Sequence, residues 1–150
     1  MSELKVKLMF KDAVLPTRGT PESAGLDLYS PIDFTIPPCT AYGRAVELGR
    51  YTVDTGVAIG LKPEQVAFVK PRSGLGFNRK VDVFEGTIDE DYRGSIKVLL
   101  YNTSHQPIDI KKGDRIAQLI IQKFEKEEPV KVKSLDDTAR GTGGLGSTGN

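Results

Sequence analysis

The sequence predicts an all-β domain, and three observations favour that fold class. Short apolar runs alternate with polar residues at a period of two, as strands with one buried face do. The 16 glycines and 9 prolines are spread along the 150 residues, so turns separate the runs. No stretch of about eleven residues shows the apolar stripe of a helix. Short strands with turns every ~8–12 residues are typical of a β-sandwich, a jelly roll or a barrel, and all three stay open.

Each strand is predicted from its own pattern. In the first, Leu4, Val6, Leu8 and Phe10 alternate with mostly charged residues. The last run fits a helix or a strand, but its β-branched isoleucines favour a strand. The predicted strands lie, in chain order, at residues 4–10, 24–29, 34–36, 57–61, 65–69, 96–101 and 115–124.

The composition excludes several classes of function. A formal net charge of +1 does not predict attraction to nucleic acid or to an anionic membrane. Cys39 and His105 are the single residues of their types, which prevents an intrachain disulfide and nearly excludes an all-protein zinc site. Neither residue is given a role. No signal-peptide pattern precedes the first strand and no apolar run approaches ~18 residues, so we expect an intracellular protein, cytoplasmic or nuclear, without a membrane span.

The C-terminal residues differ in composition from the rest. We predict one β core over residues 1–124 and a C-terminal arm over residues 125–150. The arm begins with a charged piece that contains Pro129, and residues 140–150 are rich in Gly, Ser and Thr. Neither piece builds a core alone, so two interpretations stay open: a frayed end, or an arm that orders on a ligand or a neighbouring subunit.

Three segments contain groups suited to phosphate. In residues 140–149, glycines allow backbone N–H groups to form an anion nest, and hydroxyls and a guanidinium add donors. The segment lacks the Lys-Ser/Thr ending of a Walker loop. Residues 71–76 combine an arginine, a serine and two glycines, and Gln118 is predicted to face away from the apolar side of its strand. Taken singly, these segments also fit a linker, a tight turn and a solvated glutamine.

Two acidic positions are candidates for chemistry. In residues 86–94, strict alternation would put Asp89 and Tyr92 on opposite faces, so a bend is needed for both to line one pocket. Asp89 would then serve as a general base or a metal ligand, the alternative being an acidic hairpin tip in solvent. Asp27, in an apolar strand, fits either a turn or cap acceptor, or an acid that reaches Mg²⁺ through water.

Together, in order and spacing, five segments resemble the trimeric deoxyuridine triphosphatases (dUTPases), and the resemblance covers nearly the whole chain. The matching segments are Ala-Gly-Leu-Asp-Leu-Tyr-Ser (24–30), Pro-Arg-Ser-Gly-Leu-Gly (71–76), Gly-Thr-Ile-Asp-Glu-Asp-Tyr-Arg-Gly (86–94), Gly-Asp-Arg-Ile-Ala-Gln-Leu (113–119) and Arg-Gly-Thr-Gly-Gly-Leu-Gly-Ser-Thr-Gly (140–149).

The resemblance implies hydrolysis of dUTP to dUMP and pyrophosphate with Mg²⁺, which keeps uracil out of DNA and supplies dUMP for thymidylate synthesis. Asp89 resembles the base that activates the attacking water at the α-phosphate. Tyr92 resembles the residue that packs on the deoxyribose and excludes a 2′-hydroxyl. The hairpin backbone that reads uracil is implied at Val83, Gly86, Thr87 and Ile88.

The other motif residues imply phosphate and metal contacts. The residues that resemble contacts to the α- and β-phosphates are Arg72, Ser73, Gly74 and Gln118. The residues that resemble the family's closing arm are Arg140, Leu145, Gly146, Ser147 and Thr148. Asp27 resembles a residue that reaches the Mg²⁺ ion through water, the ion being held mainly by the phosphates.

The implied fold is a jelly-roll-like β-barrel that assembles as a homotrimer with C-terminal arm exchange. Each site then lies between subunits: the second and fourth motifs come from one chain, the third from a neighbour and the fifth from the third chain's arm. We expect dUTP as the partner, with no direct binding of nucleic acid or membrane.

Two features depart from the family pattern. Leu145 stands where an aromatic residue usually stacks on uracil, which predicts weaker closure of the arm with chemistry retained. The segment 41–55 is longer than the family's usual turn, and fits a longer hairpin or a partner surface. Tyr29, Tyr42 and Tyr101 are expected to be packing residues.

Two other functions stay open at this point. A deoxycytidine triphosphate deaminase shares the fold, but its deaminating Glu/Arg arrangement has no clear equivalent here. A nucleotide sensor or partner-binding module would rest on Leu145 and the segment 41–55.

Overall fold

A computed structural model of the chain describes residues 3–143. Four predicted arm residues lie outside the described residues: Leu145, Gly146, Ser147 and Thr148. The elements are β1 (Lys5–Leu8), β2 (Thr17–Arg18), β3 (Leu26–Tyr29), β4 (Phe34–Ile36), β5 (Thr40–Tyr42), β6 (Ala45–Glu47), β7 (Gly49–Asp54), β8 (Val57–Gly60), β9 (Gln65–Lys70), α1 (Ser73–Arg79), β10 (Val81–Val83), β11 (Gly86–Ile88), β12 (Lys97–Asn102), β13 (Ile108–Ile110) and β14 (Arg115–Lys123).

The described strands pair antiparallel around one core. A five-stranded sheet has the order β11-β9-β14-β3-β2, and a three-stranded sheet has the order β10-β12-β7. Three two-stranded ribbons, β1-β8, β13-β4 and β5-β6, complete the arrangement. Leu28, Leu100, Ile110, Ile116 and Leu119 are among its fully buried side chains. The prediction of an all-β, jelly-roll-like fold is confirmed.

Strand β14 shows how one alternating pattern serves both core and surface. Ala117 and Leu119 are buried in the core, while Gln118 between them is half-buried on the opposite face. The β-branched residues that favoured a strand here therefore indicated the correct structure.

The helix α1 was not predicted. A tight turn is one of the two interpretations of residues 71–76, but the chain forms a seven-residue helix here, Ser73–Arg79, and the φ of 56° at Lys80, which follows it, lies in the left-handed region. Leu75 is the single buried residue of this helix, so the sequence carries no apolar stripe to reveal it. No helix among residues 3–143 is long and apolar enough to cross a membrane.

The segment 41–55 forms a hairpin followed by a long strand. Strands β5 and β6 pair around Gly43, whose positive φ of 61° favours glycine, and β7 then joins the three-stranded sheet. The expected hairpin is present, and its greater length than the family's usual turn stays a prediction. The packing role expected for Tyr42 is wrong, because its side chain at the hairpin tip is 68% exposed.

Residues 125–142 are exposed in the single chain and form no helix or strand. Val130 and Leu135 are 78% and 85% exposed, and Val132 is exposed as well. Within residues 3–143, these apolar side chains are largely uncovered. The division into a core over residues 1–124 and an arm stays a prediction.

Candidate active site

Strand register brings the second and fourth motifs together at one end of the five-stranded sheet. Gln118 in β14 pairs with Asp27 in β3 on one side and with Lys70 in β9 on the other. Because paired residues share a face, their side chains point the same way. Arg72 is the second residue after β9, so it lies at the same end of the sheet. We call Asp27, Arg72, Ser73, Arg115 and Gln118 the arginine cluster; together they line a hollow of about 150 Å³.

Asp27 orients the arginines of this cluster. One carboxylate oxygen accepts a hydrogen bond from Arg72 Nε at 2.7 Å, and the other lies 3.5 Å from Arg115 Nη1. The Asp27 side chain is largely buried, so its charge needs these partners. Arg115 was not assigned by sequence reasoning, although it belongs to the fourth segment quoted above.

The metal role expected for Asp27 gains no geometric support within the chain. Both of its oxygens face guanidinium groups, and residues 3–143 contain no group of three or more His, Cys, Asp or Glu side chains that could hold an ion.

Gln118 is fixed by two close neighbours. Its Nε2 donates to the Pro71 carbonyl at 2.9 Å. A Cβ on Gly25 would lie 2.5 Å from Gln118 Oε1, so the absence of a side chain at Gly25 makes room for the amide. Gly74 lines a second hollow of about 290 Å³, beside Arg72, Arg79 and Arg115.

The third motif forms a separate pocket. Strand β11 ends at Ile88, and a turn follows in which the Tyr92 N–H donates to the Asp89 carbonyl at 3.1 Å. This turn brings both side chains onto one pocket of about 290 Å³, as the predicted bend required. The pocket, called the Asp89 pocket below, is lined by Thr87, Ile88, Asp89, Tyr92, Ser95, Ile96 and Lys97.

The backbone proposed to read uracil lies on a sheet edge. Among the described strands, β11 pairs only with β9, so alternate backbone groups of Gly86, Thr87 and Ile88 point away from the sheet. Val83 and Gly86 do not line the Asp89 pocket. Val83 is buried in β10, and its N–H lies 2.8 Å from the carboxylate of Asp82.

Glu90 connects this hairpin to the beginning of the C-terminal segment. Its two carboxylate oxygens accept from Lys126 Nζ at 2.5 Å and from the Glu64 N–H at 2.6 Å. The Lys126 contact, followed by the Glu64 N–H, lowers the pKa of the Glu90 carboxyl, and the same ion pair raises the pKa of Lys126.

The arginine cluster and the Asp89 pocket are far apart in one chain. In the strand register, Asp89 is level with residue 66 of β9, and the arginine cluster is level with Lys70. These four residues correspond to roughly 13 Å along the strands. Across the sheet, three strand intervals between β11 and β3 add roughly 14 Å. Asp89 and Asp27 are therefore roughly 20 Å apart. Arg140 is exposed and lines neither site.

A family model described as dUTPase matches residues 11–149, which is nearly the whole chain. The chain belongs to the dUTPase family. A relative named deoxyuridine 5'-triphosphate nucleotidohydrolase from Arabidopsis thaliana is 46% identical over 145 residues, covering 97% of this chain and 82% of the relative. One of the same name from Paramecium bursaria Chlorella virus 1 is 43% identical and covers 99% of both chains.

Solved dUTPases share the fold. A variant of the dUTPase of Staphylococcus bacteriophage 80alpha, solved with dUpNHpp, superposes with a TM-score of 0.88 at 24% identity and covers 100% of both chains. A variant dUTPase of phage phi11, described with a structural Mg(II) ion, has a TM-score of 0.78 at 21% identity and covers 89% of this chain and 98% of its own. The first four of the five segments thus lie on a dUTPase fold.

Proposed function

We propose that this protein is a dUTP diphosphatase, which hydrolyses dUTP to dUMP and pyrophosphate. The observation that carries the proposal is the Asp89 pocket: a carboxylate and a tyrosine share one cavity beside the free edge of β11. Membership of the dUTPase family and the names of the relatives support it.

Asp89 acts as the general base. Its exposed carboxylate accepts the proton of a water molecule as that water attacks the α-phosphorus, and the bond to the pyrophosphate leaving group breaks. An aspartate is a weak base, so the step depends on how the water is positioned and on the charge that develops on it.

The arginine cluster holds the phosphates. Arg72, braced by Asp27, offers its remaining N–H groups to the α- and β-phosphates, and Ser73, Gly74 and Gln118 lie beside it. When bound, Mg²⁺ that arrives with the triphosphate neutralises charge on the phosphate oxygens. Asp27 would meet that ion through a water, since its own oxygens face arginines.

The Asp89 pocket supplies selectivity for the nucleoside. The Tyr92 ring packs on the deoxyribose and leaves no space for a 2′-hydroxyl. Free backbone groups of β11 pair with uracil and reject cytosine, whose amino group reverses one hydrogen bond. Val83 would contribute to uracil binding through its backbone carbonyl, because its side chain is buried.

A homotrimer explains the separation of roughly 20 Å. A general base works within hydrogen-bond distance or through one water, so the Arg72 and Asp89 of one chain do not meet one α-phosphate. We propose that neighbouring subunits supply them. The exposed Val130, Val132 and Leu135 are then covered by a neighbour, and Arg140 with residues 145–148 closes a third subunit's site.

The single Cys39 is buried and free, which suits a reducing compartment. We therefore propose an intracellular location, in the cytoplasm or the nucleus; a human relative that is 44% identical is named mitochondrial. Cell fractionation with an antibody to the protein distinguishes these compartments.

Pyrophosphate release from dUTP, dTTP, dCTP and UTP tests the activity. We expect turnover of dUTP alone, and a loss of about 10²–10⁴-fold in Asp89→Asn with nucleotide binding retained. Asp91→Asn is the matched control, because Asp91 does not line the pocket. Ammonia release from dCTP, or unchanged turnover in Asp89→Asn, would contradict the proposal.

A further inference from the structure

The Tyr92 ring occupies a restricted position. Its hydroxyl donates to the Ser95 carbonyl at 3.1 Å. A Cβ on Gly94 would lie 2.6 Å from Tyr92 Cζ, and the hydroxyl oxygen is closer still. Real Cβ atoms essentially never approach a heavy atom within 3.0 Å, and the backbone of Gly94 does not have a positive φ. Gly94 is therefore needed for the space that the tyrosine occupies.

The segment beneath Tyr92 is fastened to the turn between β7 and β8. Ser95 Oγ donates to the carboxylate of Asp54, which also accepts the Gly56 N–H at 2.9 Å. The same turn also holds Ile96, the residue after Ser95. The hydroxyl of the fully buried Thr55 donates to the Ile96 carbonyl at 2.7 Å. The carbonyl that accepts from Tyr92 thus belongs to a residue anchored by Asp54.

We propose that Asp54 and Gly94 are positioning residues that fix the Tyr92 ring and thereby set the selectivity of this enzyme for deoxyribonucleotides over ribonucleotides. The inference rests on the proposed function, in which Tyr92 packs on the sugar. Neither residue lines the Asp89 pocket, so both act through Tyr92 and Ser95.

A small displacement of the ring suffices to change selectivity. A 2′-hydroxyl differs from hydrogen by one heavy atom, and misplacement of a site group by about 1 Å changes rates by up to ~10²-fold. In Gly94→Ala, the new methyl group displaces the ring from its hydrogen bond with Ser95. In Asp54→Ala, Ser95 loses its anchor and the ring becomes less restricted.

The test compares kcat/KM for dUTP and UTP. We expect the dUTP:UTP ratio to fall about ten- to a hundredfold in Gly94→Ala and about tenfold in Asp54→Ala, mainly because UTP turnover rises. Asp54→Asn keeps the acceptor oxygen, so we expect its ratio to stay within about twofold of wild type. Asp12→Ala and Gly60→Ala are matched controls; a Cβ on Gly60 would meet its nearest atom at an ordinary 3.5 Å.

The outcomes separate the inference from the proposed function. Affinities for dUMP and UMP, measured by calorimetry, give the same ratio without turnover, and thermal unfolding checks that each variant folds. If Tyr92→Ala loses selectivity but Gly94→Ala and Asp54→Ala keep it, the positioning role is wrong and the proposed function stands. If wild type does not hydrolyse dUTP, the proposed function itself is wrong. If Tyr92→Ala keeps full selectivity while dUTP is hydrolysed, the sugar-packing role of Tyr92 is wrong, and the positioning roles of Asp54 and Gly94 are wrong with it.

Discussion

Two inactive variants should restore activity when they share an oligomer. Asp89→Asn removes the proposed base and Arg72→Gln removes the proposed phosphate contact, so each homomer is expected to lose about 10²-fold or more in turnover. Their side chains belong to sites roughly 20 Å apart in one chain. Sites built between subunits would therefore combine an intact Arg72 from one variant with an intact Asp89 from the other.

The size of the recovery follows from the assembly. In a 1:1 mixture that is unfolded and refolded together, each position holds either variant with equal chance. About a quarter of the sites then receive both intact residues from different chains, and we expect about a quarter of wild-type activity per site. A site built within one chain would give none, because no chain carries both residues.

Pyrophosphate release measures the recovery, and sedimentation measures the oligomer. The matched control mixes the two variants without unfolding, which leaves homomers and should leave the activity low. Mixed oligomers that stay inactive would refute the separation derived from the sheet register. A monomer of wild type with full turnover would do so as well.

Three further predictions concern single residues. Asp27→Ala frees the arginines and removes the carboxylate that would meet Mg²⁺ through a water, so we expect KM for dUTP to rise about tenfold and half-maximal activity to require more Mg²⁺; a rise in KM with the Mg²⁺ dependence unchanged would show that Asp27 serves the arginines alone. The pKa of Glu90 is lowered in the fold, so its ion pair with Lys126 contributes its full stabilisation at pH values above about 4.3, the ordinary pKa of glutamate. This stabilisation is lost as the pH falls through the lowered pKa. The Tm difference between wild type and Lys126→Met should therefore shrink on acidification, and Lys123→Met, which removes a charge without a carboxylate partner among residues 3–143, should show no such trend. Asn102 is fully buried and donates to backbone carbonyls at 2.7 and 3.0 Å, so Asn102→Ala should cost about 2–3 kcal/mol and roughly 4–12 °C in Tm; a Tm close to wild type would contradict this.

Local patterns predicted the parts of the fold that depend on local rules. Strand β4 was predicted at its observed bounds, Phe34–Ile36, because prolines follow it directly. In β14, alternation placed Gln118 opposite Ala117 and Leu119, as observed. A bend was expected between Asp89 and Tyr92 because alternation alone would have separated them.

Contacts between distant segments could not be predicted in this way. The pairing of Asp27 with Arg72 joins residues 45 positions apart, and no spacing rule connects them. Arg115 was missed for the same reason, since its closeness to Asp27 depends on the register of β14 against β3. The helix α1 was missed because a short helix with one buried residue has no periodic signal.

Strand β14 supplies core side chains and also Gln118 of the arginine cluster. Sliding β14 by one residue would turn Gln118 into the interior and expose Leu119, since neighbouring side chains face opposite ways. A shift in the register of β14 therefore cannot change the affinity for phosphate without also disrupting the core. Changes in that affinity have to come from substitutions of individual side chains. The hydrophobic packing that keeps the protein folded is also what holds the Gln118 amide in place.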